Sequence, residues 1–182
     1  MERSTELYDR YLRGDNGALE QLVIDYGDAL TGYAYCYLRD YCAAEDVMED
    51  TFATLIVKRK RFTERSPFET YLFRIARNKC IDRLRRSKRE TCLYEDMPLR
   101  ADSSVEEDAL KSVRNEQVYK AMLALSRDYR SALYLMYYRG FTVDEIRTAL
   151  GKSKKQVYNL LARAKAALKE ILIREGIGHE DI

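Results

Sequence analysis

Tryptophan is absent from the 182 residues; proline occurs twice, at Pro67 and Pro98, glycine eight times and histidine once. So few breakers argue against a strand-and-turn fold and favour helices. Long apolar runs are missing too. The longest, Ala132 to Tyr138, falls far below the roughly 20 residues that a membrane-crossing helix needs. The opening Met1-Glu-Arg-Ser-Thr-Glu6 holds no apolar signal core, so the chain is expected to stay in the cytoplasm and off membranes. Cysteines stand at 36, 42, 80 and 92 without a Cys-x-x-Cys pair, and the single histidine is His179. A zinc site needs clustered ligands at short spacing, so no metal and no cofactor is expected. Cys36 and Cys80 fall within helical patterns and read as reduced, small core residues. There is no glycine-rich phosphate loop and no Ser/Cys–His pair. No catalytic residue is therefore expected, and the chain is not read as an enzyme. Internal repeats and low-complexity stretches are also lacking.

Hydrophobic residues make up 46% of the chain and charged residues 34%, the balance of a globular protein. Net charge is only +2, but its distribution is uneven. Residues 1–57 hold four basic and twelve acidic side chains; residues 58–89 hold thirteen basic and three acidic. Residues 90–116 turn acidic again, and residues 117–182 carry twelve basic against seven acidic groups. Two basic blocks separated by an acidic bridge suit a modular protein with two surfaces facing polyanions.

Apolar positions repeat at helical steps. A first helix is expected over about Thr5 to Arg13, ending at Gly14. A second runs from Asn16 to Leu38, with Leu19, Leu22, Val23, Tyr26, Leu30, Tyr33, Ala34, Tyr37 and Leu38 on one face. A third covers Ala43 to about Lys60 and buries Ala44, Val47, Met48, Thr51, Phe52, Leu55 and Ile56. Its other face is acidic: Glu45 with Glu49, and Asp46 with Asp50, are like-charge pairs one turn apart. Each destabilises an isolated helix by a few tenths of a kcal/mol (~0.3), so the ridge suits a basic partner. After a loop at Arg61–Arg65, Ser66-Pro67-Phe68-Glu69 reads as a capping box with Pro67 at the first helical position. The helix it opens continues to about Arg86. It interleaves Arg74, Arg77, Lys79, Arg83, Arg85 and Arg86 with Tyr71, Phe73 and Asn78. Basic groups of this kind neutralise phosphates, and aromatic faces receive unstacked bases.

Residues 89–108, with Pro98, Asp102, Ser103 and Ser104, have no sustained period and read as an acidic, flexible linker. The fold expected is all-α: two small helical domains, 1–88 and 109–182, joined by that linker. In the second domain, helices are expected over Ala109 to about Leu125 and over Tyr129 to Tyr138. Two capping boxes follow, Thr142-Val-Asp-Glu145 and Ser153-Lys-Lys-Gln156, with Leu150-Gly151 between them. They predict a short helix Val143–Leu150, a tight turn and a longer helix from Lys154 to about Ile173. The longer helix would bury Val157, Leu160 or Leu161, Ala164, Leu168 and Leu172. This is a helix-turn-helix in outline, with Lys152, Lys154, Lys155 and Arg163 around its second helix.

These stretches together resemble the sigma-70 family, specifically its small two-domain extracytoplasmic-function group. One match is Ala44-Glu-Asp-Val-Met-Glu-Asp-Thr-Phe52, followed by Tyr71-Leu-Phe-Arg-Ile-Ala-Arg-Asn-Lys-Cys-Ile-Asp-Arg-Leu-Arg-Arg86. The other is Gly140-Phe-Thr-Val-Asp-Glu-Ile146, through Leu150-Gly-Lys-Ser153, to Arg163-Ala-Lys165. The resemblance implies an RNA polymerase subunit that directs promoter recognition. Its partners would be core polymerase, promoter DNA and an anti-sigma factor, and it would be a monomer when free. It implies that Asp46, Glu49 and Asp50 dock on the clamp helices of the polymerase's largest subunit. The −10 element would be held by Arg61, Arg65, Ser66, Tyr71, Arg74, Arg77, Asn78, Lys79 and Arg83, with Asn78 and the preceding loop receiving a flipped base. The helix-turn-helix would enter the major groove at the −35 element through Ser153, Lys154, Lys155, Gln156, Tyr158, Asn159, Ala162 and Arg163. Asp82 matches a family carboxylate and reads as a salt-bridge partner.

Departures from the pattern are Tyr71 where the family usually has tryptophan, Glu49 for glutamine, and Arg147 for a small alanine. Lys155 to Leu160 also departs, so no −35 sequence carries over. No long extension follows Ile173, and no further regulatory domain is expected. Two other classes stay open. A dimeric helix-turn-helix repressor acting on palindromic sites leaves the acidic ridge and the basic block unexplained. A nucleic-acid enzyme lacks a metal cluster or nucleophile.

Overall fold

The computed structural model describes residues 3–58, 67–91 and 113–175, and of residues 88–91 and 113–117 only the backbone. Every regular element among the described residues is helical. The helices are α1 (Arg3–Leu12), α2 (Asn16–Leu38), α3 (Tyr41–Lys58), α4 (Phe68–Thr91), α5 (Val113–Ala124), α6 (Arg127–Leu133), α7 (Val143–Leu150) and α8 (Lys154–Arg174); a π-helical turn, Tyr134–Tyr138, continues α6. The chain divides into two compact units.

In the first unit α2 packs against α1, α3 and α4, and α4 also meets α1 and α3. Local chemistry sets the helix ends. Asp15 caps α2 by accepting from the Ala18 amide at 3.2 Å, and Arg10 grips the same carboxylate at 2.7 Å. The Arg10 hydrogen bond holds that carboxyl below the usual aspartate range. Arg39 closes α2 in the left-handed region, at φ 56°. Asp40 then accepts from the Ala43 amide at 2.9 Å. This cap starts α3 at Tyr41, two residues before the expected Ala43. Pro67 stands just outside α4 rather than at its first position, and its carbonyl accepts from the Tyr71 amide. The expected cap at Ser66, the loop 61–65 and the expected end of α3 at Lys60 lie outside the described residues. At its far end α4 runs to Thr91, five residues past the expected stop, because Ser87 to Glu90 contain no breaker. The expected linker therefore begins helically, and its residues 92–108 lie outside the described residues.

Aromatic and small residues share the core of this unit. Leu22, Leu30, Tyr33, Ala34, Val47, Phe52, Leu55, Phe68, Leu72, Phe73, Ala76 and Cys80 are all buried. Each large apolar side chain removed from water contributes roughly 1.5–3 kcal/mol. Tyr33 meets Phe73 edge-on at 5.2 Å, and Tyr8 stacks on Phe68 at 4.6 Å. The buried Tyr33 hydroxyl shares a hydrogen bond of 3.2 Å with that of Tyr37; burial drives the Tyr33 pKa well above its ordinary value. Ile56 does not join the core: it is 45% exposed, beside Val57 at 82%. Leu55 takes the inward slot, and the last turn of α3 carries its neighbours round to solvent.

The second unit is built on α8, against which α5 and α6 pack. Ala121 of α5 lies buried with Leu172 of α8, flanked by Val118, Leu168 and Ile171. Leu161, not Leu160, takes the buried position beside Val157 and Ala164. The guanidinium of Arg130 is buried and donates to the Leu123 carbonyl at 2.8 Å, tying α6 to the end of α5. The helix expected over Tyr129–Tyr138 is a composite. It starts at Arg127 and widens into the π turn, where the Arg139 amide reaches back to the Tyr134 carbonyl at 3.2 Å. One extra residue per turn rotates the following side chains, leaving Tyr137 and Tyr138 exposed while Leu135 is buried.

Cys36, Cys42 and Cys80 are thiols in this structure. Cys36 and Cys80 are buried; burial, with Cys36 nearby, pushes the Cys80 pKa up to about 12. The thiolate is the nucleophile, so such thiols are inert. Alkylation of the native protein at neutral pH is expected to modify exposed Cys42 and to spare Cys36 and Cys80 until denaturant is added. Mass mapping that finds Cys80 labelled in the native state would show that this core opens.

Candidate nucleic-acid interfaces

Two charged surfaces lie side by side on the first unit. Asp46, Glu49 and Asp50 are all exposed along α3. On α4, burial of Leu72, Phe73, Ala76 and Cys80 turns the opposite side outward. Arg74, Asn78 and Arg85 recur there at steps of four and seven, which keeps them on one exposed stripe. Tyr71 and Arg77 are half-buried at its edges. Tyr71 lies close enough to Tyr8 to help burial raise the Tyr8 pKa to about 12. Tyrosine at position 71 is thus tied to the aromatic cluster in the absence of tryptophan. Arg61, Arg65 and Ser66 lie outside the described residues.

The two surfaces are joined by ion pairs that sequence reasoning missed. Arg83 Nη2 sits 2.8 Å from Asp46 Oδ2, and Lys79 Nζ 3.7 Å from Asp50 Oδ2. The acidic ridge is therefore partly answered within the chain, by two of the cations expected to face nucleic acid. Arg74, Arg77 and Glu49 make no ion pair among the described residues. Asp82, expected as a salt-bridge partner within its helix or between helices, pairs with Arg85 at 3.7 Å along the same helix.

In the helix-turn-helix the local signals hold closely. The Glu145 carboxylate accepts from the Thr142 amide at 2.7 Å, and the Glu145 amide donates to the Thr142 hydroxyl at 3.3 Å. Gly151 turns the chain at φ +61°, a conformation that suits glycine. Gln156 accepts from the Ser153 amide at 2.8 Å and donates its own amide to the Ser153 hydroxyl at 3.3 Å, completing the second box. From this cap α8 presents Lys154, Lys155, Gln156, Tyr158, Asn159, Ala162 and Arg163, all exposed, away from the buried Val157–Leu161–Ala164 seam. All the expected −35 residues thus share the exposed side of one helix start, but not all their polar atoms are uncommitted. Ser153 and the Gln156 carbonyl serve the cap. Lys154 donates to Asp144 at 2.9 Å, and Lys152 lies 3.8 Å from Asp128. Arg147 is exposed and pairs with Asp144 at 3.5 Å, so its bulk needs no room in the core.

The Asp144 and Lys154 partners were not legible in sequence, because they stand ten residues apart on two helices. Their hydrogen bond lowers the Asp144 pKa and raises that of Lys154. A carboxyl with a depressed folded pKa contributes stability above its unfolded pKa and loses it as pH falls through the folded one. The pair is therefore intact at neutral pH; it opens in acid as Asp144 takes up a proton and in strong base as Lys154 gives one up. Among the described residues no group of His, Cys, Asp and Glu could hold a metal ion, and no helix is long and apolar enough to cross a membrane.

Comparison with known proteins gives the same two-part division. The model described as Sigma-70 region 2 matches residues 22–90, and that described as Sigma-70, region 4 matches residues 115–168. The chain is 27% identical over 182 residues to the RNA polymerase sigma-H factor of Pseudomonas aeruginosa, covering 94% of each. It is 28% identical over 171 residues to the ECF RNA polymerase sigma factor SigW of Bacillus subtilis, covering 88% of this chain and 91% of SigW. Among solved structures, the fold resembles CnrH, determined with the cytosolic domain of CnrY, at a TM-score of 0.68 and 26% identity, over 95% of this chain and 99% of that one. It also resembles the sigma factor RpoE of Bartonella quintana, determined with the anti-sigma factor NepR, at a TM-score of 0.73 and 24% identity, over 84% and 95%.

Two outcomes are expected. Carboxyl NMR titration of Asp144 should give a midpoint below that of an exposed aspartate, moving up in Lys154→Met; an unmoved midpoint would remove the pair. Ser153→Ala should cost about 1 kcal/mol in urea unfolding through loss of the cap, and a change within error would mean that the box is dispensable.

Proposed function

The chain belongs to the extracytoplasmic-function group of the sigma-70 family, and we propose on that footing that it recognises promoters for RNA polymerase through the surfaces described above. The observation that carries the proposal is the pairing, in the family's order, of a basic α4 beside an acidic α3 with a capped helix-turn-helix further along. A repressor of the simple helix-turn-helix kind has no use for the first pair.

In this reading Asp46, Glu49 and Asp50 dock on core polymerase. Arg74, Arg77, Lys79 and Arg83 track the phosphates of the −10 element, with Arg61, Arg65 and Ser66 in the preceding segment. Tyr71 and Asn78 meet unstacked bases: the ring supplies a flat apolar face and the amide a polar edge. Capture of flipped bases offsets the few kcal/mol (~3) needed to unpair them, so no nucleotide hydrolysis is assigned to the chain. Start-of-helix residues of α8, from Ser153 to Arg163, enter the major groove at the −35 element. Lys155 and Arg163 make no ion pair among the described residues, and Lys154 can reach a phosphate by leaving Asp144. Asn159 and Arg163 have the groups that read base edges. Ser153 and Gln156 act chiefly by capping the helix, with the Ser153 hydroxyl proton still available to a phosphate.

The setting proposed is cytoplasmic, and the free chain a monomer. An anti-sigma factor accompanies one of the two structural relatives, and a partner of that class is proposed here too. The domain division assigned to these roles is 1–88 and 109–182, with residues 89–108 between them.

The test is run-off transcription with core polymerase on DNA from upstream of the chain's own gene. A discrete transcript that depends on the protein is expected. Asn78→Ala should lower it about fivefold, the loss of an interaction of ~1 kcal/mol, and Asp46→Ala should weaken co-purification with core polymerase. Failure to bind core polymerase, with tight dimeric binding to a palindromic duplex, would overturn the proposal in favour of a repressor.

A further inference from the structure

Asp46 and Asp50 are claimed twice. In the function proposed above they face core polymerase, and in the folded chain they already hold Arg83 and Lys79, at 2.8 and 3.7 Å. Both of those cations belong to the basic surface proposed for the −10 strand. Neither pair is buried: side-chain exposure is 45% for Arg83 against 58% for Asp46, and 34% for Lys79 against 62% for Asp50. All four groups can therefore be reached from solvent, the carboxylates by a basic partner and the cations by phosphate. Arg74, Arg77 and Glu49 make no such pair among the described residues.

We propose that these two cross-helix pairs couple the protein's two interfaces, with Asp46 and Asp50 restraining Arg83 and Lys79 until a basic protein surface takes the carboxylates. In the free chain a DNA phosphate competes with a carboxylate for Arg83 and Lys79, so part of the basic surface is held back. When polymerase draws on Asp46 and Asp50, their hold on the cations weakens and the surface becomes fully available. Linkage makes the effect reciprocal: DNA on Arg83 and Lys79 strengthens docking of the ridge by the same factor. The size is set by exposed ion pairs, ~0.5–1 kcal/mol each, which corresponds to about two- to fivefold in affinity per pair. That is enough to disfavour unproductive DNA binding by the free chain without blocking the assembled complex. The inference rests on the proposed function for the identity of the basic partner. The restraint itself concerns this chain and DNA alone.

The experiment is a double-mutant cycle on the full chain, reading the fluorescence anisotropy of a labelled single-stranded DNA oligonucleotide. Asp46→Asn and Asp50→Asn should each tighten binding about two- to fivefold and steepen its salt dependence, as an added phosphate contact does. Glu49→Gln removes the same charge from the same ridge without releasing a cation, and should gain less. In an Arg83→Gln background the gain from Asp46→Asn should fall to the level of Glu49→Gln, and the Asp50–Lys79 cycle should behave alike. Helical circular dichroism checks that each variant is folded. An equal gain from Glu49→Gln, a gain undiminished by Arg83→Gln, or no gain at all overturns the proposal. Run-off transcription separates the two ideas. Promoter-dependent transcripts without coupling end this inference alone. Coupling without core-polymerase binding leaves the restraint and ends the proposed function.

Discussion

The surface chemistry of the first unit depends on the mutual packing of α2, α3 and α4. Tyr33, fully buried on α2, lies edge-on to Phe73 of α4 and is hydrogen-bonded to Tyr37. Ala34, Ala44 and Ala76, all buried, help the helices approach closely. Aromatic contacts of this geometry add about 0.5–1.5 kcal/mol beyond their area. Their larger consequence is positional: α3 and α4 are held so that an acidic face and a basic face share an edge. Without that packing, Asp46 and Arg83 would be distant charges on separate amphipathic helices.

The helix-turn-helix relies on end effects more than on bulk. Two reciprocal capping boxes and one left-handed glycine define α7, the turn and the start of α8. Each cap satisfies amides that a short helix cannot satisfy internally. The stakes are high for α7, which has eight residues and little propagation to offset its nucleation. Arg130 plays a comparable role between α5 and α6, where its buried guanidinium bonds to the Leu123 carbonyl at 2.8 Å. Such a group is tolerated in a core only when hydrogen-bonded.

Charge follows one design in both units. Cations of the proposed nucleic-acid surfaces lean on carboxylates of a neighbouring helix: Arg83 on Asp46, Lys79 on Asp50, Lys154 on Asp144. Exposed pairs of this kind contribute little to stability, and their weight lies in where they hold long side chains. They leave Arg74, Arg77, Lys155 and Arg163 as the more immediately available cations.

Local rules were enough, in sequence alone, to determine the helical class, the bounds of α2 and α7, the start of α8 and the turn at Gly151. Those features depend on caps, glycine and period, all of which act within a few residues. Local rules failed where a residue's role is set by something distant or by competition between neighbours. Asp40 capped α3 earlier than the apolar pattern suggested. Ile56 lost the inward position to Leu55, Leu160 lost it to Leu161, and α4 ran on through residues that merely permit a helix. Tertiary structure alone decided the π turn that exposes Tyr137 and Tyr138, the burial of Arg130 and the pairing of α3 carboxylates with α4 cations. The physical reason is the same in each case: periodicity specifies which face of a helix is apolar, but only packing brings the polar edges of two helices within ion-pair distance.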